Sequence, residues 1–253
     1  MKMKIKKIYR FPIKSFTEEK RSDVNINDSG RIIGDRIAAF KLGDSQTNNY
    51  SWLPKKNYLS LMHLPFLAKV DISLNNHIDE ISIKLPDKSK INLKIFDTKK
   101  LEEIISEFLA ENNFHKKISF LYPNHPDISF HDTKDGGISL HSLSSEKEIN
   151  SNFRDIEGIR FRSNLVINSL EPFEELNWVG KRISISNMIF EVSKTITRCS
   201  AINCNPKKGI YDKNILKILP KLNGVSKPSF GIKLKLISEG GTIKIDDEIK
   251  VLE

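Results

Sequence analysis

A cysteine beside a permanent cation is the feature of this sequence that most favours chemistry. Cys199 directly follows Arg198, and an Asn205-Pro206 step comes shortly after it. The positive neighbour favours the ionised sulfur, and a thiolate is both a nucleophile and a soft ligand for thiophilic metals. A lone thiol is also commonly a buried packing group. The residues alone therefore leave two possibilities open, a reactive thiolate and a structural cysteine.

Two other parts of the chain combine basic and polar side chains with apolar runs. Residues 161–167 read Phe-Arg-Ser-Asn-Leu-Val-Ile, which places Arg162 and Asn164 before a strand-like segment. Residues 9–15 read Tyr-Arg-Phe-Pro-Ile-Lys-Ser, and a later Gly-Asp-Arg step ends at Arg36. These segments and the region of Cys199 together carry a family resemblance.

With residues 170–183 and the Gly-Gly turn at 240–241, these segments resemble the MOSC domain. This domain is the molybdenum-cofactor module of proteins of the amidoxime-reducing and sulfurase C-terminal type. The opening segment resembles the N-terminal β-barrel domain that precedes many MOSC domains. The resemblance covers most of the chain, from about residue 4 to residue 253, and it is weak over 44–130. No residue of that weak stretch receives a role.

The resemblance also implies a set of site residues. In the family, the Cys of the Arg-Cys step provides the thiolate ligand to molybdenum. The resemblance therefore implies that Cys199 is the metal-binding and catalytic residue. The matching positions that line the cofactor cleft are Lys14, Arg36, Arg162, Asn164, Thr197 and Arg198. The molybdopterin ligand carries a phosphate, which suits the fork of an Arg and the point charge of a Lys. Because two of these residues lie near the N-terminus, both halves of the chain must form one cleft.

The chain departs from the family pattern at several positions, among them Ile196, where the family often has a Cys that is not the ligand. Asn205 replaces the Asp that usually precedes Pro206, and the loss of a carboxylate could alter the hydrogen bonds around the site. Ser163 stands where Pro is common. Cys204 stands where an apolar residue is usual, and its alternation with polar neighbours predicts a buried side chain. We therefore expect Cys204 to belong to the core and to have no role in the chemistry.

The resemblance implies an oxidoreductase that depends on the molybdenum cofactor and reduces N-hydroxylated compounds, such as amidoximes, to amine-type products. The chain has only two cysteines and no iron–sulfur pattern, so a separate ferredoxin, flavoprotein or small haem protein is expected to supply electrons. The alternative is a cofactor or sulfur carrier in which Cys199 holds a persulfide without turnover. The sequence does not separate them, because both need an accessible thiolate.

Composition bounds the remaining classes of function. The net charge is +9, but no block of Lys and Arg is interleaved with aromatic residues, so no nucleic-acid partner is expected. The hydrophobic fraction of 38% fits a soluble globular protein. No apolar run approaches the ~20 residues of a membrane span, and the basic N-terminus lacks the apolar stretch of a signal peptide. A cytoplasmic protein without a disulfide framework is predicted.

Alternating apolar and polar residues dominate the chain and predict strands. They cover residues 5–13, 24–27, 36–42, 68–74, 80–85, 90–96, 164–168, 182–186, 188–194, 231–237, 242–245 and 248–252. Helical spacing replaces alternation over residues 99–112, 142–152 and 212–219. Ser144 or Ser145 is expected to cap the second helix. Asp212 is expected to cap the third, and Pro220 to end it.

These elements predict a mainly β protein with a few helices, of the α+β class. An N-terminal β-barrel-like domain is expected over residues 1–98, followed by a MOSC β-barrel domain over residues 99–253. The boundary is expected between residues 98 and 130, near the first helix.

Overall fold

The computed structural model describes residues 2–44, 50–169 and 171–252. Within these ranges the strands are β1 Met3–Arg10, β2 Glu19–Arg21, β3 Asp23–Ile26, β4 Ala39–Leu42, β5 Asp71–Leu74, β6 Glu80–Lys84, β7 Ile91–Lys94, β8 Ile118–Leu121, β9 Ile138–Ser142, β10 Leu165–Ile167, β11 Arg182–Ile185, β12 Met188–Thr197, β13 Ser229–Leu236, β14 Gly241–Lys244 and β15 Glu248–Leu252. The helices are α1 Thr98–Glu111, α2 Leu143–Asn152 and α3 Ile215–Asn223. The prediction of a mainly β protein with a few helices is confirmed.

Seven strands close into a barrel. The order runs β10, β9, β13, β12, β11, β15 and β1, and β1 pairs again with β10 to complete the ring. All neighbours are antiparallel except β10 and β9. Side chains alternate between the barrel interior and the outside along each strand. In β11, Ile183 and Ile185 are fully buried in the interior, while Arg182 is exposed. Closure leaves no unpaired edge among these seven strands.

The first strand of the chain is built into this barrel. Ile5 and Ile8 of β1 pair with Ile167 and Leu165 of β10, and all four side chains are almost fully buried. Strand β3 pairs with β14 in a separate ribbon, and β15 pairs with β11 and β1. The predicted turn near the C-terminus therefore joins two strands that have different partners. The domain division near residue 98 stays a prediction, and the pairing joins β1 to the strands of the C-terminal half.

A second apolar core lies under the N-terminal part of the chain. Strands β5, β6 and β7 form a meander, and β4 pairs with β8. Helix α1 buries one face against this core, as its 3–4 residue spacing predicts, through Leu101, Ile104, Ile105, Phe108 and Leu109. Phe40 packs tilted against Phe16 and Phe120 at centroid distances of 5.5 and 4.9 Å. Cys204 joins this core from the C-terminal half.

Three predictions about individual elements are wrong. Helix α2 is capped by Ser142, whose hydroxyl accepts a hydrogen bond from the backbone of Ser145. Helix α3 begins at Ile215 after Asn214, because the carboxylate of Asp212 is bound to Arg160 and does not cap it. Pro220 lies inside that helix. Strands β8 and β9 were not predicted. Both are short and every residue in them is buried, although the sequence of β9, Ile-Ser-Leu-His-Ser, does alternate.

Among the residues described, no helix has both the length and the apolar character that crossing a membrane requires.

Candidate functional site

A cavity of about 440 Å³ is lined by residues from both halves of the chain. It brings together six of the seven residues predicted for the site, namely Lys14, Arg36, Arg162, Thr197, Arg198 and Cys199. A larger cavity of about 830 Å³ shares Leu61, Arg160, Arg162 and Ala201 with it. The seventh predicted residue, Asn164, does not line the cavity and lies behind its wall.

The two cysteines lie in different environments. Cys199 has an extended backbone just after the end of β12, immediately before the short 3-10 helix Ser200–Asn203, and it is half-buried. Thr197 is exposed at the same end of the cavity. Cys204 is 3% exposed, and burial raises the pKa of its thiol to about 11. Cys204 is therefore a core residue, as predicted, and Cys199 is the accessible thiol.

Arg198 is held by the protein itself. Its Nε donates to the carbonyl of Phe230 at 2.8 Å, and its Nη1 donates to the carbonyl of Phe161 at 2.6 Å. Its Nη2 reaches Phe230 O at 2.5 Å and Ser163 Oγ at 3.3 Å. Burial lowers the pKa of Arg198 to about 9, against the opposing effect of the Cys199 sulfur. Because its donors are used on backbone carbonyls, Arg198 positions the end of β12 beside the cavity.

Two further arginines share one aromatic ring. The guanidinium carbons of Arg162 and Arg36 lie 4.4 and 4.7 Å from the centroid of the Phe11 ring. Arg162 has a left-handed backbone with φ of 50°, and its Nη1 donates to Phe16 O at 2.7 Å. Arg36 Nη1 binds the carboxylate of Asp35 at 2.5 Å, and its Nη2 donates to the Arg162 carbonyl at 3.1 Å. Burial, and then the charge of Arg36, lowers the pKa of Arg162 to about 10.

Lys14 reaches the cavity from the N-terminal segment. Its side chain is 5% exposed and donates to Phe130 O at 3.0 Å, and it pairs with the carboxylate of Asp132. Burial lowers the pKa of Lys14, while Asp132 opposes that shift. The ammonium also lies 5.5 Å from the ring centroid of Tyr58. Lys14 is thus a buried cation with one anionic partner at the cavity wall.

Asn164 organises the wall behind these cations. It is 1% exposed, and its Oδ1 accepts from Ser139 Oγ at 2.8 Å and from Arg36 Nη1 at 3.4 Å. Its Nδ2 donates to the carbonyl of Tyr9 at 3.2 Å and to Asp35 Oδ1 at 3.1 Å. These bonds join β1, β9 and the segment that carries Arg36. Asn164 therefore acts on the cavity through Asp35 and Arg36.

Sequence reasoning missed several lining residues, of which Lys233 is the most unusual. Lys233 lies in β13 between Ile232 and Leu234, which are almost fully buried in the barrel. Alternation directs Lys233 away from the barrel interior, which normally means toward water. Here the N-terminal half covers that face, so Lys233 is half-buried at the cavity. The alternating Ile-Lys-Leu-Lys-Leu sequence of β13 does not distinguish Lys233 from the exposed Lys235, so no local signal identifies it.

Thr133 is a second missed residue. It lines the cavity, and its hydroxyl oxygen is buried without a hydrogen-bond partner in the described part of the chain. A buried hydroxyl without a hydrogen-bond partner destabilises a folded protein unless a ligand or water binds it.

His131 also lines the cavity. Burial together with nearby cations holds its pKa well below the ordinary value, so it is neutral.

The departure at Asn205 has a structural reason. Asn205 Nδ2 donates to Asp212 Oδ2 at 2.6 Å, and Asp212 also accepts two hydrogen bonds from Arg160, at 2.7 and 3.1 Å. Asn205 Oδ1 accepts from the backbones of Lys207 and Lys208, both at 2.9 Å. The carboxylate of Asp212 thus occupies the position beside Asn205, and an amide there supplies the donor that a carboxylate lacks.

Asn205→Asp is therefore expected to destabilise the protein by about 1–3 kcal/mol at pH 7, because it sets two carboxylates in contact. The repulsion raises the pKa of one carboxyl, so the loss should shrink as the pH falls through that raised value and the pair gains a shared proton. Urea unfolding at pH 7 and pH 5 measures both effects. The exposed Asn187→Asp should change stability by less than ~0.5 kcal/mol. Equal losses at both pH values would contradict the carboxylate-pair explanation.

Comparison with known proteins gives a partial match to a domain family. The sequence model of the MOSC domain matches residues 127–250. The chain is 39% identical over 97 residues to molybdenum cofactor sulfurase of Caenorhabditis elegans, which covers 38% of this chain and 13% of that protein. It is 40% identical over 83 residues to molybdenum cofactor sulfurase of Caenorhabditis briggsae, covering 32% of this chain and 12% of that protein. The matches thus span a small part of these relatives' length.

Two solved structures are similar to this chain. The YuaD protein from Bacillus subtilis has 13% identity and a TM-score of 0.45, with 99% of this chain and 96% of that chain covered. YiiM from Geobacillus stearothermophilus has 17% identity and a TM-score of 0.35, with 46% of this chain and 54% of that chain covered.

Proposed function

We propose that this chain, whose residues 127–250 match the sequence model of the MOSC domain, binds the molybdenum cofactor with Cys199 as the sulfur ligand of the metal. The observation that carries this proposal is the cavity itself. The half-buried thiol of Cys199 lines the same cavity as several partly or fully buried cations. Buried positive charge is unfavourable unless it is paired, so these cations favour a bound anion. Thiolate sulfur suits a thiophilic metal, and the cations suit a phosphate.

The residues of the cavity fit such a group. Its basic lining residues are Lys14, Arg36, Lys55, Arg160, Arg162, Arg198 and Lys233. Among the lining residues that the structure describes, only Asp132 is a carboxylate. The mutual repulsion of these cations contributes to the lowered pKa values of Arg162 and Lys233. A bound dianion would offset that repulsion, and the hydroxyl of Thr133 would gain a partner.

Within this proposal, each residue has a limited task. Arg162, Arg36 and Lys14 bind and orient the anionic part of the ligand. Arg198 and Asn164 hold the wall in place through backbone carbonyls and buried side chains. Cys199 supplies the sulfur. When bound, the cofactor supplies two-electron redox chemistry at the metal.

We extend the proposal to reduction of N-hydroxylated compounds. The N–O bond would break, and two electrons and two protons would yield an amine-type product and water. A separate electron-transfer protein is the proposed source of the electrons, and a cytoplasmic location is part of the same proposal. The alternative is a carrier in which Cys199 holds a persulfide. The relatives named molybdenum cofactor sulfurase favour this alternative, since a sulfur-transfer role needs the same accessible thiol.

Metal content and turnover test these proposals together. After expression in a host that makes the cofactor, we expect about one molybdenum and one pterin per chain, the ratio for a mononuclear site. Benzamidoxime with a chemical electron donor should then be reduced. Molybdenum without turnover would favour a cofactor carrier. Absence of molybdenum from folded protein, with persulfide sulfur on Cys199, would favour the sulfur carrier and contradict the reductase.

A further inference from the structure

Lys233 is a cation without an ion-pair partner among the residues that the structure describes. Its Nζ makes one hydrogen bond in the described part of the chain, to the carbonyl of Gly137 at 2.9 Å. Within those same residues, no carboxylate lies within ion-pair distance of the ammonium. An ammonium has three N–H donors, so two of them have no partner among the described residues. The neighbouring Ile232 and Leu234 fix the strand in the barrel wall, which holds Lys233 at the cavity.

Charged groups approach Lys233 from every element around it. On the cavity side these are Arg36, Asp35, Asp132, Arg198 and the neutral His131. On β12, Lys194 lies opposite in the pairing register, and its ammonium is bound to Asp135. Asp35 and Asp132 are themselves paired, with Arg36 and Lys14 respectively. The local balance is therefore positive, and neither carboxylate is free to neutralise Lys233.

We propose that Lys233 is an additional anion-binding residue of this cavity. Its side chain binds a dianionic oxyanion, such as a phosphate group, and takes up a proton on binding. An incoming dianion supplies both the counter-charge and the acceptors that the ammonium lacks. This inference deepens the proposed function, since that anion would be the phosphate group of the cofactor.

The protonation of Lys233 follows from its surroundings. Burial, and next the charge of Arg36, lowers the pKa of Lys233 from its ordinary value to about 7. A bound dianion raises that pKa again, because it favours the charged form. Between the lower and the raised value, binding therefore draws a proton from solution, and affinity falls as pH rises. Below pH 7 the lysine already carries its proton, and the pH dependence due to Lys233 disappears.

Sulfate is the probe for this proposal, because it stays a dianion throughout this pH range and requires no metal. Calorimetry of sulfate binding in buffers of different ionisation enthalpy measures the number of protons taken up. We expect about one proton per sulfate at pH 8.5 and close to none at pH 6, with affinity falling about tenfold per pH unit between pH 7.5 and 8.5. Molybdenum content, measured separately, decides the proposed function.

Three variants separate Lys233 from its neighbours. Lys233→Arg keeps a permanent charge, so it should bind sulfate with little proton uptake at pH 8.5. Lys233→Met should bind at least about tenfold more weakly at pH 6, a loss typical of a charge-assisted contact. Lys235→Met, on the same strand but exposed, should behave like the parent protein.

Several results would overturn the proposal. Proton uptake that persists in Lys233→Arg would assign it to another group, such as Lys14. Absence of sulfate binding at pH 6, or equal losses in Lys233→Met and Lys235→Met, would show that Lys233 does not bind the anion. If molybdenum is retained while sulfate binding is unlinked to protons, this inference alone fails. If the linkage is present and no molybdenum is found, the proposed function fails and the anion site remains.

Discussion

Cys199→Ala is expected to abolish both molybdenum retention and reductase activity. A metal bound through one protein sulfur loses its anchor when that sulfur is removed, whereas the cations of the cavity hold only the anionic part of the ligand. Cys204→Ala is the matched control and should leave both properties largely intact. Cys204 is 3% exposed in the core, and its Sγ lies 3.4 Å from the carbonyl of Pro65.

Metal analysis of each purified variant, followed by turnover of benzamidoxime, measures these effects. Thermal melting must accompany them, because a misfolded variant would lose metal for an uninformative reason. Cys199 is half-buried, so its replacement by alanine should change stability by only about 1 kcal/mol. Equal loss of molybdenum from the two cysteine variants in folded protein would refute the assignment of Cys199 as the ligand.

Local periodicity made part of this fold predictable. Helix α1 follows from the spacing of its buried residues, and β11, β12 and β15 follow from alternation. The closure of the barrel could not be predicted in this way, because Ile8 of β1 pairs with Leu165, which is distant in sequence. Alternation predicts that a strand exists and which face is buried, but it does not determine its partners.

The capping errors have a related cause. Asp212 has the residue type of a helix cap, yet its carboxylate binds Arg160 across a tertiary contact. Ser142 was overlooked because it ends a fully buried strand and caps a helix at the same position. A side chain with two possible partners takes the one that the tertiary fold presents, and local sequence does not contain that information.

The candidate site divides in the same way. The family resemblance identified residues that line one cavity although they are distant in sequence. Lys14 comes from the N-terminal segment after β1, and Arg162 comes from the segment before β10. It did not distinguish a side chain that faces the cavity from one that holds its wall. Arg198 lines the cavity, but its N–H groups donate to the carbonyls of Phe161 and Phe230, and these bonds hold the wall. Lys233 was absent from the predicted set because its strand face is covered by residues distant in sequence.

Asn164→Ala is expected to cost about 3 kcal/mol of stability, although Asn164 was predicted to bind the cofactor. The amide satisfies Tyr9 O and Asp35 Oδ1 with its donors, and its oxygen accepts from Ser139. Removing it leaves several buried groups unpaired at once, and each such group costs about 1–3 kcal/mol with partial relaxation. Urea unfolding followed by circular dichroism measures the loss.

Asn168→Ala is the matched control, since Asn168 lies just beyond the same strand and also bonds backbone groups, at Lys4 N and Lys2 O. Its position is more exposed, so water can replace the lost amide and the cost should stay below about 1 kcal/mol. Sulfate affinity at pH 6 separates the two roles of Asn164. If Asn164→Ala keeps full stability but loses anion binding, the amide contacts the ligand directly. If stability falls and the remaining folded protein binds sulfate only a few-fold more weakly, Asn164 acts through Arg36, as its buried hydrogen bonds indicate.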